Sequence, residues 1–385
     1  MKILYGINTN GQGHINRARV FITQLLEDGH DVHVLLAGRQ PPHYAFELSS
    51  KTFFKPGPID FYKDHRVNLN KILQVNLANI PEYAAVRKEL IELDAKENFD
   101  AIFTDFEPHS SVVGKKTGKP VVCIDRQHAV FHPAITVAPG KPHEKMGMRW
   151  VQNIMMPFYN HCFALDFTQT IETAGDITLF PLVWKQELKD LETSLGEHII
   201  CYLSWYDSKK VVEILSQFPR ETFFVYGFNK NKKVKNIHFK KTTRTGFLHD
   251  LASSKAVIGN AGFNLAWETF LLKKLIWTIP YHNQFEQVSN AYRLEQMGLG
   301  YRSEQLTAKD LQAFLQWLET KKYRVTTDLV VLQPSDLLAR VYDFLEEYRL
   351  DTFPKSRYIR KGIRLELNRW RMRQEILNEI RLKTV

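Results

Sequence analysis

Cysteine is scarce in this chain of 385 residues. Cys123, Cys162 and Cys201 are few, widely spaced and odd in number, so neither a disulfide framework nor a C-x-x-C metal knuckle is available, and a reducing compartment is expected. No apolar run approaches the roughly 18 to 20 residues that a membrane-crossing helix requires. The opening Met1-Lys2-Ile3-Leu4-Tyr5-Gly6 enters a strand pattern rather than the apolar core of a signal peptide, so the expected location is cytoplasmic. A fixed-period repeat of the solenoid kind is also missing. The formal charge of +10 is uneven: residues 351–385 hold ten Lys/Arg against four Asp/Glu, which leaves +4 for the first 350. A distributed basic face is therefore lacking, as are helix-turn-helix and RNP motifs, and nucleic acid is not an expected partner.

What is present is an ordinary globular composition, 44% hydrophobic and 24% charged, in a length about twice that of a usual domain. Lys2 to Ile7 is apolar, Asn8 to Gly13 is a polar loop with two glycines, and Ala18, Phe21, Ile22, Leu25 and Leu26 then recur at helical spacing. Gly29 stands where a helix terminator is expected, and Asp31 to Leu36 reads as a second strand. Further strands are predicted at 101–104, 120–124, 199–203, 222–226, 237–239, 256–259 and 275–279, with helices at 82–97, 207–217, after Gly262, and at 290–297. Strands alternating with helices favour parallel sheets. The pattern weakens between 131 and 180, and an interdomain region is expected near 166–185. The expected division is an amino-terminal Rossmann-like domain over 1–175, a second over 176–335, and carboxyl-terminal helices over 336–385.

Ligands of such sheets gather beyond the carboxyl ends of the strands. Two glycine-rich loops lie there, Asn10-Gly11-Gln12-Gly13-His14 and Gly259-Asn260-Ala261-Gly262, each opening a helix whose free N–H groups suit an anion such as a diphosphate. A dinucleotide fingerprint fits the first loop poorly, because Asn16 replaces its third glycine and the second strand ends in Ala37-Gly38-Arg39 without an acid. His14 in the first helical turn can act as a base, and Asp105, just after a strand, should emerge on the same sheet edge to orient it. The competing reading makes Asp105 a turn or helix cap. Glu268 lies about two turns into its helix, and Glu286 and Gln287 offer an acceptor and an amide for a polyhydroxy ligand.

Gly11-Gln12-Gly13-His14-Ile15-Asn16, Gly262 through Glu268, and Glu286-Gln287-Val288-Ser289-Asn290-Ala291, taken in this order, resemble the motifs of GT-B fold glycosyltransferases, similar to MurG and the plant-type UDP-glycosyltransferases. The resemblance covers roughly residues 1–345. It implies an α/β fold of two Rossmann-like parallel domains facing an interdomain cleft. It also implies a nucleotide-sugar donor, with His14 as general base on an acceptor hydroxyl and Asp105 as its partner. Donor binding would fall to Gly11, Gly13, Arg244, Phe247, Asn260, Gly262, Phe263, Asn264, Glu268, Glu286 and Gln287, with Glu268 on the ribose. Gln127 and His128, in a loop resembling one that faces the cleft, are assigned to the acceptor, with a hydrogen-bonded turn as the alternative. Trp267, and Ser204-Trp205-Tyr206 in place of glycines, depart from the pattern and leave the donor sugar open; uridine is implied by resemblance alone.

The expected reaction is direct, inverting attack without cofactor or metal, since Asp105-Phe106-Glu107 is the nearest approach to a D-x-D motif. A nucleotide-sugar 2-epimerase and a non-catalytic nucleotide-sugar sensor are the competing readings. Beyond Pro354, Ile359, Ile363, Leu367, Trp370, Leu377 and Ile380 recur at mostly helical spacing among arginines. The tail over 355–385 is read either as an interfacial helix on an anionic membrane, which would suit a lipid-linked acceptor, or as a docking helix.

Overall fold

In the computed structural model, which describes residues 1–63, 66–67, 69–282 and 284–349, the strand Lys2–Asn8 is buried at every position after Lys2. Burial on both faces is why a central parallel strand reads as a continuous apolar run. The helix Gln12–Glu27 follows, burying Ile15, Ala18, Phe21, Ile22 and Leu25 on one stripe. It stops because Gly29 takes φ +78° and returns its N–H to the Leu26 carbonyl at 3.0 Å.

Two sheets result. The first has eight strands in the order 51–56, 31–38, 2–8, 101–105, 121–125, 161–165, 177–180 and 172–174, and only the last is antiparallel. The second has seven in the order 232–234, 237–239, 222–226, 198–202, 256–259, 276–278 and 300–302, parallel except for 232–234. In each, the chain winds outward in one direction and then returns to wind in the other. The reversal falls between Lys2–Asn8 and Ala101–Asp105 in the first sheet, and between His198–Tyr202 and Ala256–Gly259 in the second. Diverging connections at a reversal leave a crevice beyond the strand ends, and both glycine-rich loops open there.

The stretch that the sequence pattern left weak holds the helix Pro142–Met155 and the strands His161–Leu165, Glu172–Ala174 and Ile177–Phe180, so the first sheet reaches Phe180. Leu182–Val183 then pairs with Val331–Leu332. The helix expected at 290–297 begins earlier, at Phe285, and runs to Gln296. Met1–Leu337 forms one compact unit, and the described residues beyond it complete the helix Pro334–Arg349. The basic tail over 355–385 lies outside the described residues. Among the described residues, no helix is long and apolar enough to cross a membrane.

The turn after Ala101–Asp105 aims the first site. Phe106 adopts φ +57°, a left-handed conformation that is uncommon for a bulky residue and costs on the order of 1 to 3 kcal/mol. This reversal separates the two carboxylates of Asp105-Phe106-Glu107. Glu107, fully buried, caps the helix Pro108–Thr117 by accepting His109 N–H and Ser110 N–H, each at 2.7 Å. That helix sits directly on the first strand: a Cβ at Gly6 would lie 2.2 Å from Ser110 Oγ. Glu107→Ala leaves two buried N–H groups without an acceptor and is expected to lower stability by about 2 to 4 kcal/mol. The urea midpoint measures this, and a loss under about 0.5 kcal/mol would contradict the capping role.

Candidate active site

Strand register sets the first half of the site. Ile7 pairs with Asp105, so Asp105 ends its strand beside the loop that carries His14. His14 Nδ1 lies 2.8 Å from Asp105 Oδ1, with the carboxylate fully buried and the imidazole 16% exposed. The His14 ring also stacks on Phe106, with centroids 5.7 Å apart and planes 7° apart. Arg17, one helical turn after His14, grips the same carboxylate through Nε to Oδ2 at 2.8 Å and Nη2 to Oδ1 at 2.5 Å. Its Nη2 is also 3.0 Å from His14 Nδ1. An ionised carboxylate only accepts, so the shorter Asp105 contact calls for the ring proton on Nδ1, while Arg17 Nη2, itself a donor, is directed to the carboxylate. The lone pair is then on Nε2, the arrangement a general base requires.

Arg17 was not foreseen. Its signal was available, since i and i+3 share a helix face, but a charged residue between Ile15 and Ala18 reads as solvated. Burial alone would lower its pKa; the charge and hydrogen bonds of Asp105 more than reverse this and raise it. Gln127 joins the same group, its Oε1 accepting Arg17 Nη2 at 3.3 Å. Glu286, on the other half of the molecule, lies within electrostatic reach of Arg17 and Arg126. The structure therefore brings His14, Asp105, Gln127 and Glu286 into one region.

The second half is the start of the helix Phe263–Leu271. Gly262 is its N-cap, and Asn260 Oδ1 accepts Gly262 N–H at 3.1 Å. The first helical bond runs from Ala266 N–H to Gly262 O, so the first-turn N–H groups of residues 263–265 precede the regular bonding. Asn264 Nδ2 donates to Gly13 O at 2.9 Å, which sets the two glycine-rich loops against each other. A Cβ on Gly13 would lie 3.0 Å from that amide, whereas Gly11 is open. Arg126, buried in the amino-terminal half, donates to Asn290 Oδ1 at 2.7 Å and pairs with Asp166, which is also bonded to Arg293.

Glu268 is 3% exposed and already coordinated: Lys185 Nζ donates to it at 2.6 Å, and Arg244 approaches both its oxygens at 2.8 and 3.2 Å. Arg244 also pairs with Glu187. Burial pushes the Glu268 carboxyl up, but the two cations outweigh it and leave it below the usual range. For Lys185 burial prevails, and its ammonium is depressed despite Glu268. Lys185 stands in the interdomain stretch where periodicity carried no information, and the sequence reading missed it.

Four of the expected site side chains are already engaged within the fold. Phe263 is buried against Phe167, Trp267 and Arg126, so only its backbone N–H can serve a donor. Phe247 is packed between Tyr202 and Tyr226 inside the carboxyl-terminal half. Gln287 spends its carbonyl on Tyr281 N–H at 3.0 Å, closing its own loop, which leaves only its NH₂ for a ligand. His128 is 1% exposed and bonded to Asp125 Oδ2 at 2.6 Å, the turn reading rather than the acceptor one. Burial opposes its protonation, and the Asp125 charge more than compensates, raising its pKa.

Two doubly wound sheets with apposed glycine-rich loops, a histidine–carboxylate pair at one reversal and a helix start at the other, define a two-domain glycosyltransferase of the GT-B kind. The chain belongs to glycosyl transferase family 1, whose family model matches residues 1–319, and it is a glycosyltransferase enzyme. Among solved structures it is similar to UGT2 of Phytolacca americana complexed with UDP-2fluoro-glucose and pterostilbene, at 15% identity and a TM-score of 0.61 over 90% of this chain and 99% of that one. It is similar also to the calicheamicin glycosyltransferase CalG4, at 14% and 0.56 over 92% and 99%. The spinosyn rhamnosyltransferase SpnG complexed with thymidine diphosphate matches at 13% and 0.56 over 89% and 100%. At these identities the likeness is one of fold. No curated protein matched the sequence.

Arg17→Met removes the cation from a fully buried carboxylate and is expected to cost about 3 to 5 kcal/mol of stability, while Gln127→Ala costs less than about 1. Chemical denaturation of both variants tests this. Equal midpoints would mean that Asp105 is held by His14 alone.

Proposed function

We propose that the protein transfers a sugar from a nucleotide-diphosphate donor, probed first as a UDP-sugar, to an acceptor hydroxyl by direct displacement with inversion and without a metal. The observation that carries this reading is the His14–Asp105 pair, 2.8 Å apart at one chain reversal, beside a helix start that the Gly13–Asn264 contact brings against the same loop. In this reading His14 Nε2 removes the acceptor proton as the oxygen attacks the anomeric carbon, and Asp105 stabilises the imidazolium that forms. The bond to the diphosphate breaks on the opposite face, which inverts the centre.

Charge on the leaving diphosphate would be met by the backbone N–H groups at the start of Phe263–Leu271 and by its helix dipole. Lys185 and Arg244 stand nearby but are matched by Glu268 and Glu187, so backbone dipoles rather than free side-chain cations carry this role. Gly11, Gly13, Asn260, Gly262 and Asn264 frame that start, and Glu286 with the Gln287 NH₂ would take sugar hydroxyls. A uridine nucleotide in the Phytolacca complex and thymidine diphosphate in the spinosyn complex support a pyrimidine diphosphate as the donor class.

His14→Ala should lower turnover by at least about a hundredfold, the scale of a lost general base, with donor affinity by calorimetry within about threefold of the parent. A panel of nucleotide sugars scored by thermal stabilisation identifies the donor. Undiminished turnover in the variant would remove His14 from the chemistry.

A lipid-linked acceptor, and attachment of residues 355–385 to an anionic membrane face, belong to the same reading and rest on the basic amphipathic pattern of that tail. The full chain should float with anionic vesicles while a chain ending at Leu350 should not. Equal flotation would discard the lipid role.

A further inference from the structure

Away from the His14 pair, four side chains of metal-ligand type converge inside the amino-terminal half. Cys123 and Asp125 stand two residues apart on the strand Val121–Asp125, and therefore on one face of the sheet. Cys162 is the register partner of Cys123 on the neighbouring strand His161–Leu165. His128 returns over them from the turn Gln127–Phe131. The four ligand atoms lie within 4.8 Å of one another, and none of the residues is more than 1% exposed. Asp125 Oδ2 is 2.6 Å from His128 Nδ1, Cys162 Sγ is 3.6 Å from Asp125 Oδ1, and Cys123 Sγ is 3.7 Å from His128 Nδ1.

We propose that this cluster holds a Zn²⁺ ion in a closed structural site made by Cys123 Sγ, Cys162 Sγ, His128 Nδ1 and a carboxylate oxygen of Asp125. Two thiolates, an imidazole and a carboxylate form a donor set suited to zinc and ill suited to magnesium or calcium. In a tetrahedral site with bonds of about 2.0 to 2.3 Å, neighbouring ligand atoms lie about 3.2 to 3.8 Å apart. The two sulfur separations given above fall in that range, the Asp125–His128 contact must open by roughly 0.6 Å, and any pair nearer the 4.8 Å outer limit of the cluster must close.

The surroundings agree. The cluster sits in a core otherwise made of Ala129, Ile135, Met156, Ala164, Ile177 and Leu179, where the four polar groups have one another as partners and an ion could serve all of them. His128 has no hydrogen-bond partner at Nε2, and its ring packs edge to face on Tyr159 at 4.7 Å; its polar contacts run through its backbone N–H and through Nδ1, the ring nitrogen that faces the sulfurs and the carboxylate. Binding displaces two thiol protons and the proton shared by His128 and Asp125 to solvent, leaving a site of net charge −1. Arg17 and Arg126, both within electrostatic reach of Asp125, oppose that charge.

The ion would tie the turn to two strands. From that turn Gln127 reaches Arg17, and Arg126, just before it, reaches Asn290. The site is structural, apart from the donor chemistry, and its test does not depend on the transfer reaction.

The full chain, without an affinity tag, is produced in zinc-supplemented medium and dialysed, and its metal content is measured by mass spectrometry. About one zinc per chain is expected in the parent, and less than about a tenth in Cys123→Ser/Cys162→Ser. Because the double variant can fail to fold, the parent is also refolded with Co²⁺. Thiolate-to-cobalt charge-transfer absorption with tetrahedral d–d bands, abolished by added Zn²⁺, supports the site. Parent protein that takes up less than about a tenth of an equivalent of either metal on refolding, without that absorption, overturns it. So does zinc retained equally by the folded double variant.

Discussion

A carboxylate sealed from solvent must be matched by charge and hydrogen bonds, and Asp105 sets this condition for the amino-terminal half of the site. Arg17 supplies the charge with two hydrogen bonds, and His14 takes the remaining reach of one oxygen. The consequence is directional. With the guanidinium occupying one side of the carboxylate, the imidazole has one place to put its Nδ1 proton, and that fixes which nitrogen is left to act. Phe106, in a conformation a bulky residue rarely adopts, stacks on the ring. The strain is stored where the chain must turn sharply enough to keep Asp105 with His14 and send Glu107 to cap a helix.

The carboxyl-terminal half meets the same condition by another arrangement. Glu268 is nearly as deeply placed as Asp105, and two cations from separate segments, Lys185 and Arg244, hold it. This joins the helix Phe263–Leu271 to the stretch between the sheets, and Trp267 adds a second tie through its Nε1 donation to Val183 O at 2.9 Å. The residue that departs from the family pattern is thus an anchor for the helix that would meet the donor. Its size is explained by the gap it fills, since Trp267 is fully buried and lies under Lys185 at 4.3 Å.

Much of the framework was legible because parallel sheets write their strands as apolar runs and their connections as helical periods. His14 and Asp105 were legible for a related reason: both follow strands, and strand ends on one edge are neighbours whatever their distance in sequence. Arg17, Lys185 and Arg126 were not, because a charged residue has the same spelling whether it faces water or a buried carboxylate. Phe247 and Phe263 were misread for the converse reason, since motif position identifies a backbone path but not the side to which a ring turns. The helix Pro142–Met155 escaped because prolines and glycines on both sides suggested loop, and tertiary contacts override local punctuation.

Cysteine shows the limit most sharply. By spacing, Cys123 and Cys162 have nothing in common, and the scarcity of thiols argues against any cluster. Parallel pairing makes them neighbours, because the helix Pro142–Met155 and its flanking loops consume the intervening residues and return the chain in register beside the strand it left. Ligand sets built across strands are therefore invisible to short motifs, which capture only ligands that a single turn or knuckle presents together. The same crossing that hides the cluster also explains its position: the turn it anchors leaves the sheet one strand away from Asp105, where Gln127 completes the environment of Arg17. The carboxylates that end two neighbouring strands of the first sheet, Asp105 and Asp125, are thus each answered from another element, Asp105 by Arg17 of the first helix and Asp125 by His128 of the following turn.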